Sequence, residues 1–350
     1  MKKFMLFAAM ASVVLTSCVN EDKEVMESAS KKAISFDMPV MKPTRAAGEI
    51  DGTTYPTDET FKVFCKSYTG AYAGWESATN YFDGDGENVA LIGGNWTTTP
   101  VHYWPELGNK LAFAAYSPAT ASGTFAQTQT GLTITGFSTQ DDVANQYDLM
   151  YTPRVIDKDK NNAGTPVPLV FKHALTSVVF KATKTDATAT YVIKSLTVNG
   201  KVSTTGNFNQ NIPTPADLDG TATWENLAAA TTKTYEILTS KAIDVAQAGT
   251  DLTGANSGAG ANTALLLIPQ GVDANTTVTI TYTKTTGGNS LDATATIKLV
   301  DFVDTSSNNV TTWAMGNRYI YNITFGANKP IYFAPSVTDW NDVALDYTIE

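Results

Sequence analysis

Ile34, Phe36, Met38 and Val40 recur at a spacing of two, with Ser35 and Asp37 between them. In a strand, that spacing lines one face with apolar side chains and leaves the polar ones on the other. Short strand-like runs follow at Phe61–Tyr68, Asn88–Ile92, Val101–Trp104, Leu111–Tyr116 and Leu132–Phe137. Turn formers separate them: Asp83-Gly-Asp-Gly86, Gly93-Gly-Asn95 and Ser117-Pro118. The style repeats at Leu169–Phe171, Leu175–Lys181, Tyr191–Val198, Ala264–Ile268, Thr277–Thr283, Thr294–Val300, Tyr319–Phe325 and Val343–Ile349. Leu265-Leu-Leu-Ile268 is continuously apolar, as in a strand buried on both faces. No ten-residue stretch carries a helical period.

Two polar connections divide the chain, one over residues 46–58 and one from Asp157 to Pro166. A third stretch, Thr250 to Asn262, is rich in Gly, Ala and Asn and is expected to form a mobile loop. Short strands with frequent turns in each half predict an all-β protein of two β-sandwich domains in tandem, over residues 46–165 and 166–350.

Composition agrees with this class. Of the 350 residues 43% are hydrophobic, enough for a core, and only 17% are charged. The net charge is −10, and removing residues 1–17, whose only charges are Lys2 and Lys3, makes it −10 − 2 = −12. Such a surface argues against nucleic acid and anionic membranes as partners.

Residues 1–17 read as a signal peptide rather than fold. Lys2 and Lys3 precede an apolar run, Phe4 to Leu15, that is too short for a stable membrane span. The run ends in Leu15-Thr-Ser-Cys18, which resembles a bacterial lipobox, where the cysteine becomes the lipidated first residue. Asn20-Glu21-Asp22 follows and resembles the surface-export signal of Bacteroidetes lipoproteins. The expectation is an outer membrane lipoprotein precursor anchored through Cys18.

Candidate catalytic chemistry is thin. His102 and His173 have no Cys or His neighbour at metal-ligand spacing, so both read as packing or hydrogen-bonding residues. Asp83-Gly-Asp-Gly-Glu-Asn88 fails the calcium-loop pattern, which needs Gly at the sixth position and Glu at the twelfth; here Asn88 and Gly94 stand there. Nucleophile elbows and phosphate loops are missing from the sequence. The reading is a non-enzyme with no cofactor and no metal. Cys65, in step with Phe61 and Val63, reads as a small buried hydrophobe. Tyr68, Tyr72, Trp75 and Tyr81 cluster in one loop region; aromatics placed so could stack on sugars, though packing at the edge of the core is their commoner role.

Several stretches together resemble the fimbrillin-like family of type V pilins from Bacteroidetes. They are the Cys18 lipobox, Thr44-Arg45-Ala46, Val101-His-Tyr-Trp-Pro105, Leu111-Ala-Phe-Ala-Ala-Tyr-Ser-Pro118 and Asp148-Leu-Met-Tyr-Thr152. Leu169-Val-Phe-Lys-His-Ala-Leu-Thr176, Trp313-Ala-Met-Gly-Asn-Arg-Tyr-Ile-Tyr321 and Val337-Thr-Asp-Trp340 continue the series to the end of the chain. The resemblance implies two transthyretin-like sandwiches, export as a lipoprotein, cleavage after an arginine by a trypsin-like protease, and polymerisation by strand exchange. Arg45 and Ala46 match the cleavage junction. Of the three arginines, only Arg45 separates a complete amphipathic strand from the rest of the mature chain.

On this reading residues 18–45 are a lipidated propeptide with a removable strand. Burying Ile34, Phe36, Met38 and Val40 is worth roughly 1.5–3 kcal/mol each. A whole domain is stable by only about 5–15 kcal/mol. Losing the strand would open an apolar groove with unpaired edges. Val343, Leu345, Tyr347 and Ile349 repeat the period-two design and are the candidate donor strand; they equally fit the closing strand of the second sandwich. The expected partners are other pilin subunits, an Arg-specific protease, the outer membrane through the precursor lipid, and a host glycan or protein. The expected function is a stalk or tip subunit of a cell-surface fimbrium. The alternative is an outer-surface lipoprotein adhesin or glycan-binding protein that stays membrane-anchored.

Overall fold

The computed structural model describes residues 32–38, 55–239, 243–252, 264–304 and 308–326, and the backbone of 341–349. Its regular elements are strands and three single 3-10 turns, with no α-helix among the described residues. The organising layer is a sheet of ten strands. Its main path runs Val167–Pro168, Phe36–Asp37, Asn95–Thr99, Glu87–Ile92, Phe61–Tyr68, Lys110–Ser117, Met150–Tyr151, Lys172–His173.

The two longest strands of this path explain why their sequence is apolar at nearly every position. Phe61, Val63 and Cys65 join Leu111, Phe113 and Ala115 in one core cluster. Phe64 joins Ala112, Ala114 and Tyr116 in another. Successive side chains point to opposite faces, and both faces are covered.

A second sheet covers one of these faces. Its order is Thr221–Glu225, Thr205–Asn211, Gly131–Ser138, Thr124–Thr128. Leu132, Ile134, Phe137 and Phe208 supply its side of the shared core. Thr205–Asn211 lies beyond residue 165, yet it pairs with Gly131–Ser138. The second sheet therefore hydrogen-bonds across the position where the chain's polar connection suggested a boundary.

The second sandwich stacks a sheet of Thr250–Asp251, Thr176–Lys184, Asn317–Phe325 and Asn341–Ile349 over one of Thr231–Leu238, Ala189–Val202, Thr277–Thr286 and Asn289–Lys298. Val178, Phe180, Tyr321 and Ile323 meet Tyr191, Ile193, Leu196 and Ile280 between them. Leu265–Leu267 pairs with Thr176–Lys184. Leu265 and Leu267 belong to this core while Leu266 and Ile268 belong to the core under the first sheet. All four are 0% exposed, so this apolar run ties the two halves together from both of its faces.

Several expected strands differ in extent. Val101–Trp104 forms only an isolated bridge, Tyr103 to Ala33. Leu169–Phe171 lies between the short strands Val167–Pro168 and Lys172–His173. The expected Thr294–Val300 begins earlier, at Asn289, and ends in the 3-10 turn Leu299–Asp301. The loop expected from Thr250 opens with a two-residue strand, Thr250–Asp251, and its residues from 253 to 262 lie outside the described residues.

Candidate functional site: the slot that holds residues 32–38

The opening strand is held on both sides. On one side the Ile34 amide donates to the His102 carbonyl at 2.9 Å and the Trp104 amide donates to the Lys32 carbonyl at 3.1 Å. Phe36 stands antiparallel to Trp96 on that same side. On the other side, Val167 and Leu169 run parallel and donate to the carbonyls of Ser35 (2.8 Å) and Asp37 (2.7 Å). The strand is thus an interior member of the sheet rather than an edge.

Its side chains follow the predicted alternation. Ile34, Phe36 and Met38 are 0%, 3% and 4% exposed, whereas Ser35 is half-buried and Asp37 exposed. The walls around Phe36 are aromatic. Its ring lies edge-on to Phe61 at 6.1 Å and to Phe113 at 5.8 Å. Tyr55 and Phe171 close the same cluster, Tyr55 edge-on to Trp96 at 5.2 Å. The Tyr55 hydroxyl shares a 2.6 Å hydrogen bond with Ser117 Oγ, and burial pushes its pKa well above the ordinary phenol value. Met38 and Tyr55 are therefore both seated in one core, and the segment between them, 39–54, carries Val40, Arg45 and Ala46. Those three residues, like Cys18, lie outside the described residues.

The two remaining arginines are buried. Arg154 is 3% exposed and Arg318 is 9% exposed. The Arg154 guanidinium donates to the carbonyls of Thr128 and Gln129 and lies 5.3 Å from the centre of the Trp75 ring. Burial lowers its pKa.

The candidate donor residues Val343, Leu345, Tyr347 and Ile349 fall in Asn341–Ile349, a strand at the outer edge of its sheet. It runs parallel to Asn317–Phe325, with Val343, Leu345, Tyr347 and Ile349 in register with Tyr319, Tyr321, Ile323 and Phe325. The structure does not bring this strand to the slot within one chain; it is paired in the other sandwich.

Of the two roles open to the aromatic cluster, Trp75 takes the packing one. That side chain is 1% exposed and packs in the core with Leu132 and Phe137. Lys66, on Phe61–Tyr68, and Arg154, just before Val155–Lys158, both lie against its ring. Tyr81 is also occupied, donating to the Tyr103 carbonyl at 2.6 Å.

Both histidines are held by carboxylates. His102 Nε2 lies 3.3 Å from Glu87 Oε1 and its ring packs 4.2 Å from Phe82. His173 Nδ1 lies 2.8 Å from Asp148 Oδ2. Cys65 is 2% exposed, and burial raises its thiol pKa well above the ordinary value. The reactive species is the thiolate, so both access and ionisation are suppressed. Iodoacetamide at mildly alkaline pH is expected to leave Cys65 unmodified in the folded chain and to alkylate it fully in guanidinium, as read by intact mass.

Sequence reasoning passed over Trp96, Tyr55 and Val167, which build the slot. Asn95-Trp-Thr-Thr-Thr99 holds one large apolar residue, so only the preceding Gly93-Gly94 turn signalled a hairpin.

The fimbrillin-like family matches residues 44–340 of the chain. Among solved structures, a fimbrial protein from Bacteroides vulgatus is similar with a TM-score of 0.52 at 16% identity, over 84% of this chain and 95% of that one. A proposed cell adhesion protein from Bacteroides uniformis matches at TM-score 0.44 and 18% identity, over 84% and 93%. One from Bacteroides eggerthii matches at TM-score 0.40 and 12% identity, over 91% and 98%. No curated protein matches the chain.

Proposed function

The chain belongs to the fimbrillin-like family, and from that premise we propose that it is a structural subunit, stalk or tip, of a cell-surface fimbrium. The precursor is a lipoprotein held at the outer membrane through Cys18. An Arg-specific, trypsin-like protease cuts between Arg45 and Ala46. Ile34, Phe36, Met38 and Val40 then leave with the propeptide, and a strand from another subunit fills the slot. Val343, Leu345, Tyr347 and Ile349 are the candidate filling.

The observation that carries this reading is the double-sided seat of residues 32–38. Ile34, Phe36 and Met38 are buried, and the backbone is bonded to both neighbours. Burial of three such side chains is worth roughly 5–9 kcal/mol, comparable to a domain's whole stability of about 5–15 kcal/mol. A vacated slot would expose apolar walls and two unpaired edges, a template for strand addition. Burial of Arg154 and Arg318 further supports Arg45 as the site of cutting. The body of the mature subunit is proposed to comprise two units, 46–165 and 166–350, joined through the shared second sheet.

Treating the purified precursor with an Arg-specific protease is expected to give an N-terminus at Ala46 and ladders that resist SDS. Complete cleavage at Arg45 with only monomer would overturn the reading. A mature cell-surface protein that keeps its Cys18 lipid and residues 34–40 would instead identify an adhesin that stays anchored.

A further inference from the structure

We propose that the cleft beside Tyr68 is a binding site for a neutral carbohydrate. The site is a further function of the surface subunit and does not depend on how subunits assemble. The cleft has a volume of about 340 Å³, at the lower end of the roughly 300–1,000 Å³ typical of small-ligand sites. Ser67, Thr69, Ser77, Thr79 and Asn109 line it, with the ring of Tyr68. No residue that lines it carries a formal charge. Lys66 and Lys110, on the strands that frame the cleft, are each paired with a carboxylate, Glu76 at 3.9 Å and Asp157 at 2.7 Å. Hydroxyls and an amide without net charge suit a ligand that is itself rich in hydroxyls. They do not suit a phosphate or a metal ion, which require concentrated charge.

The polar groups are available. Among the described residues, the side chains of Ser67, Thr69, Ser77 and Asn109 make no hydrogen bond within the chain. Small residues, Ala71, Ala73 and Gly74, complete the lining and leave room for a pyranose ring. The Tyr68 ring offers an aromatic surface to the C–H face of a sugar.

The cleft is built in advance of any ligand. Its loop, residues 69–78, has no regular structure yet is pinned from beneath by buried Trp75. Gly74 sits at φ +118°, and a Cβ there would run into the Gln129 side chain. Gln129 Oε1 in turn accepts from the Glu76 amide at 2.8 Å. At the other wall, the Tyr68 hydroxyl donates to Asp157 Oδ1 at 3.1 Å and accepts from the Asp157 amide at 2.7 Å. Asp157 holds φ at 57°, a left-handed conformation uncommon for a residue other than glycine. Fixing a loop before binding removes an ordering cost from affinity.

The test uses the uncleaved full chain, so it is separate from the ladder assay. A panel of neutral oligosaccharides ending in hexose, N-acetylhexosamine or fucose is screened beside sialylated and sulfated ones, and hits are titrated by calorimetry. Saturable binding to a neutral glycan is expected. Asn109→Ala should weaken it roughly tenfold, as for a lost hydrogen-bonding side chain. Ala73→Trp, which fills the cleft from an exposed position, should abolish it. Unchanged thermal midpoints in both variants show that the fold is intact. The proposal is overturned by no saturable binding across the neutral panel, by binding that both variants retain, or by binding confined to the charged glycans. Ladders without glycan binding would overturn this proposal alone, and glycan binding without ladders would overturn the fimbrial one alone.

Discussion

Replacing Phe36 with alanine is expected to destabilise the uncleaved chain by about 3–5 kcal/mol, the usual cost of truncating a buried aromatic. The ring is 3% exposed and held edge-on between Phe61 and Phe113. Its backbone is fixed by strands on both sides, so the slot cannot collapse onto the cavity. Denaturant unfolding of the precursor is the measurement. Asp37→Ala, on the exposed face of the same strand, should stay within about 0.5 kcal/mol. Once the chain has been cut at Arg45 and the strand has left, Phe36→Ala should no longer affect the mature form. An equal loss before and after cleavage would mean that the strand stays in its slot.

The strand around Phe36 was legible because three buried residues alternate with an intervening half-buried serine and an exposed aspartate. Phe61–Tyr68 and Lys110–Ser117 were legible for the opposite reason, since burial on both faces leaves an almost unbroken apolar run. Thr205–Asn211 was not. Its inward positions are Gly206, Phe208 and Gln210, only one of them a large hydrophobe. Gln210 can sit there because its side chain is satisfied, accepting from the Leu132 amide at 3.1 Å and donating to the Asp219 carbonyl at 2.8 Å. A polar residue with partners far along the chain carries no periodic signal. Thr124–Thr128 and Thr221–Glu225 are similar, half-exposed strands rich in threonine.

The slot itself was half legible. Its occupant lies in one short segment, but its walls come from Trp96 and Val167, which are distant in sequence. Trp75 was ambiguous for a related reason. A tryptophan in a loop of Ala, Gly, Tyr and Ser fits an exposed platform as well as a core edge, and only the return of Arg154 and Gln129 over that loop shows it to be an anchor.

Removing residues 341–350 is expected to abolish ladders after Arg-specific cleavage while leaving a folded monomer. The contrast with residues 32–38 is positional. The opening strand has a neighbour on each side, and a vacancy there parts the edge strand Val167–Pro168 from the rest of the first sheet. Among the described residues Asn341–Ile349 has one neighbour, Asn317–Phe325, so its departure shortens a sheet without dividing it. Each ladder hydrogen bond lost costs only about 1 kcal/mol net. A strand that replaces residues 32–38 must run parallel to Val167–Pro168 and antiparallel to Asn95–Thr99, with apolar residues at alternate positions. Val343, Leu345, Tyr347 and Ile349 have that spacing. A synthetic peptide of residues 341–350, added in excess during cleavage of the intact chain, should therefore suppress the ladders. The same peptide carrying Leu345→Asp should not, because a buried unpaired carboxylate is costly. Circular dichroism and size exclusion of the truncated chain decide the other arm. Loss of cooperative unfolding there, with ladders insensitive to the peptide, would make Asn341–Ile349 the closing strand of its own sandwich and leave the slot to another donor.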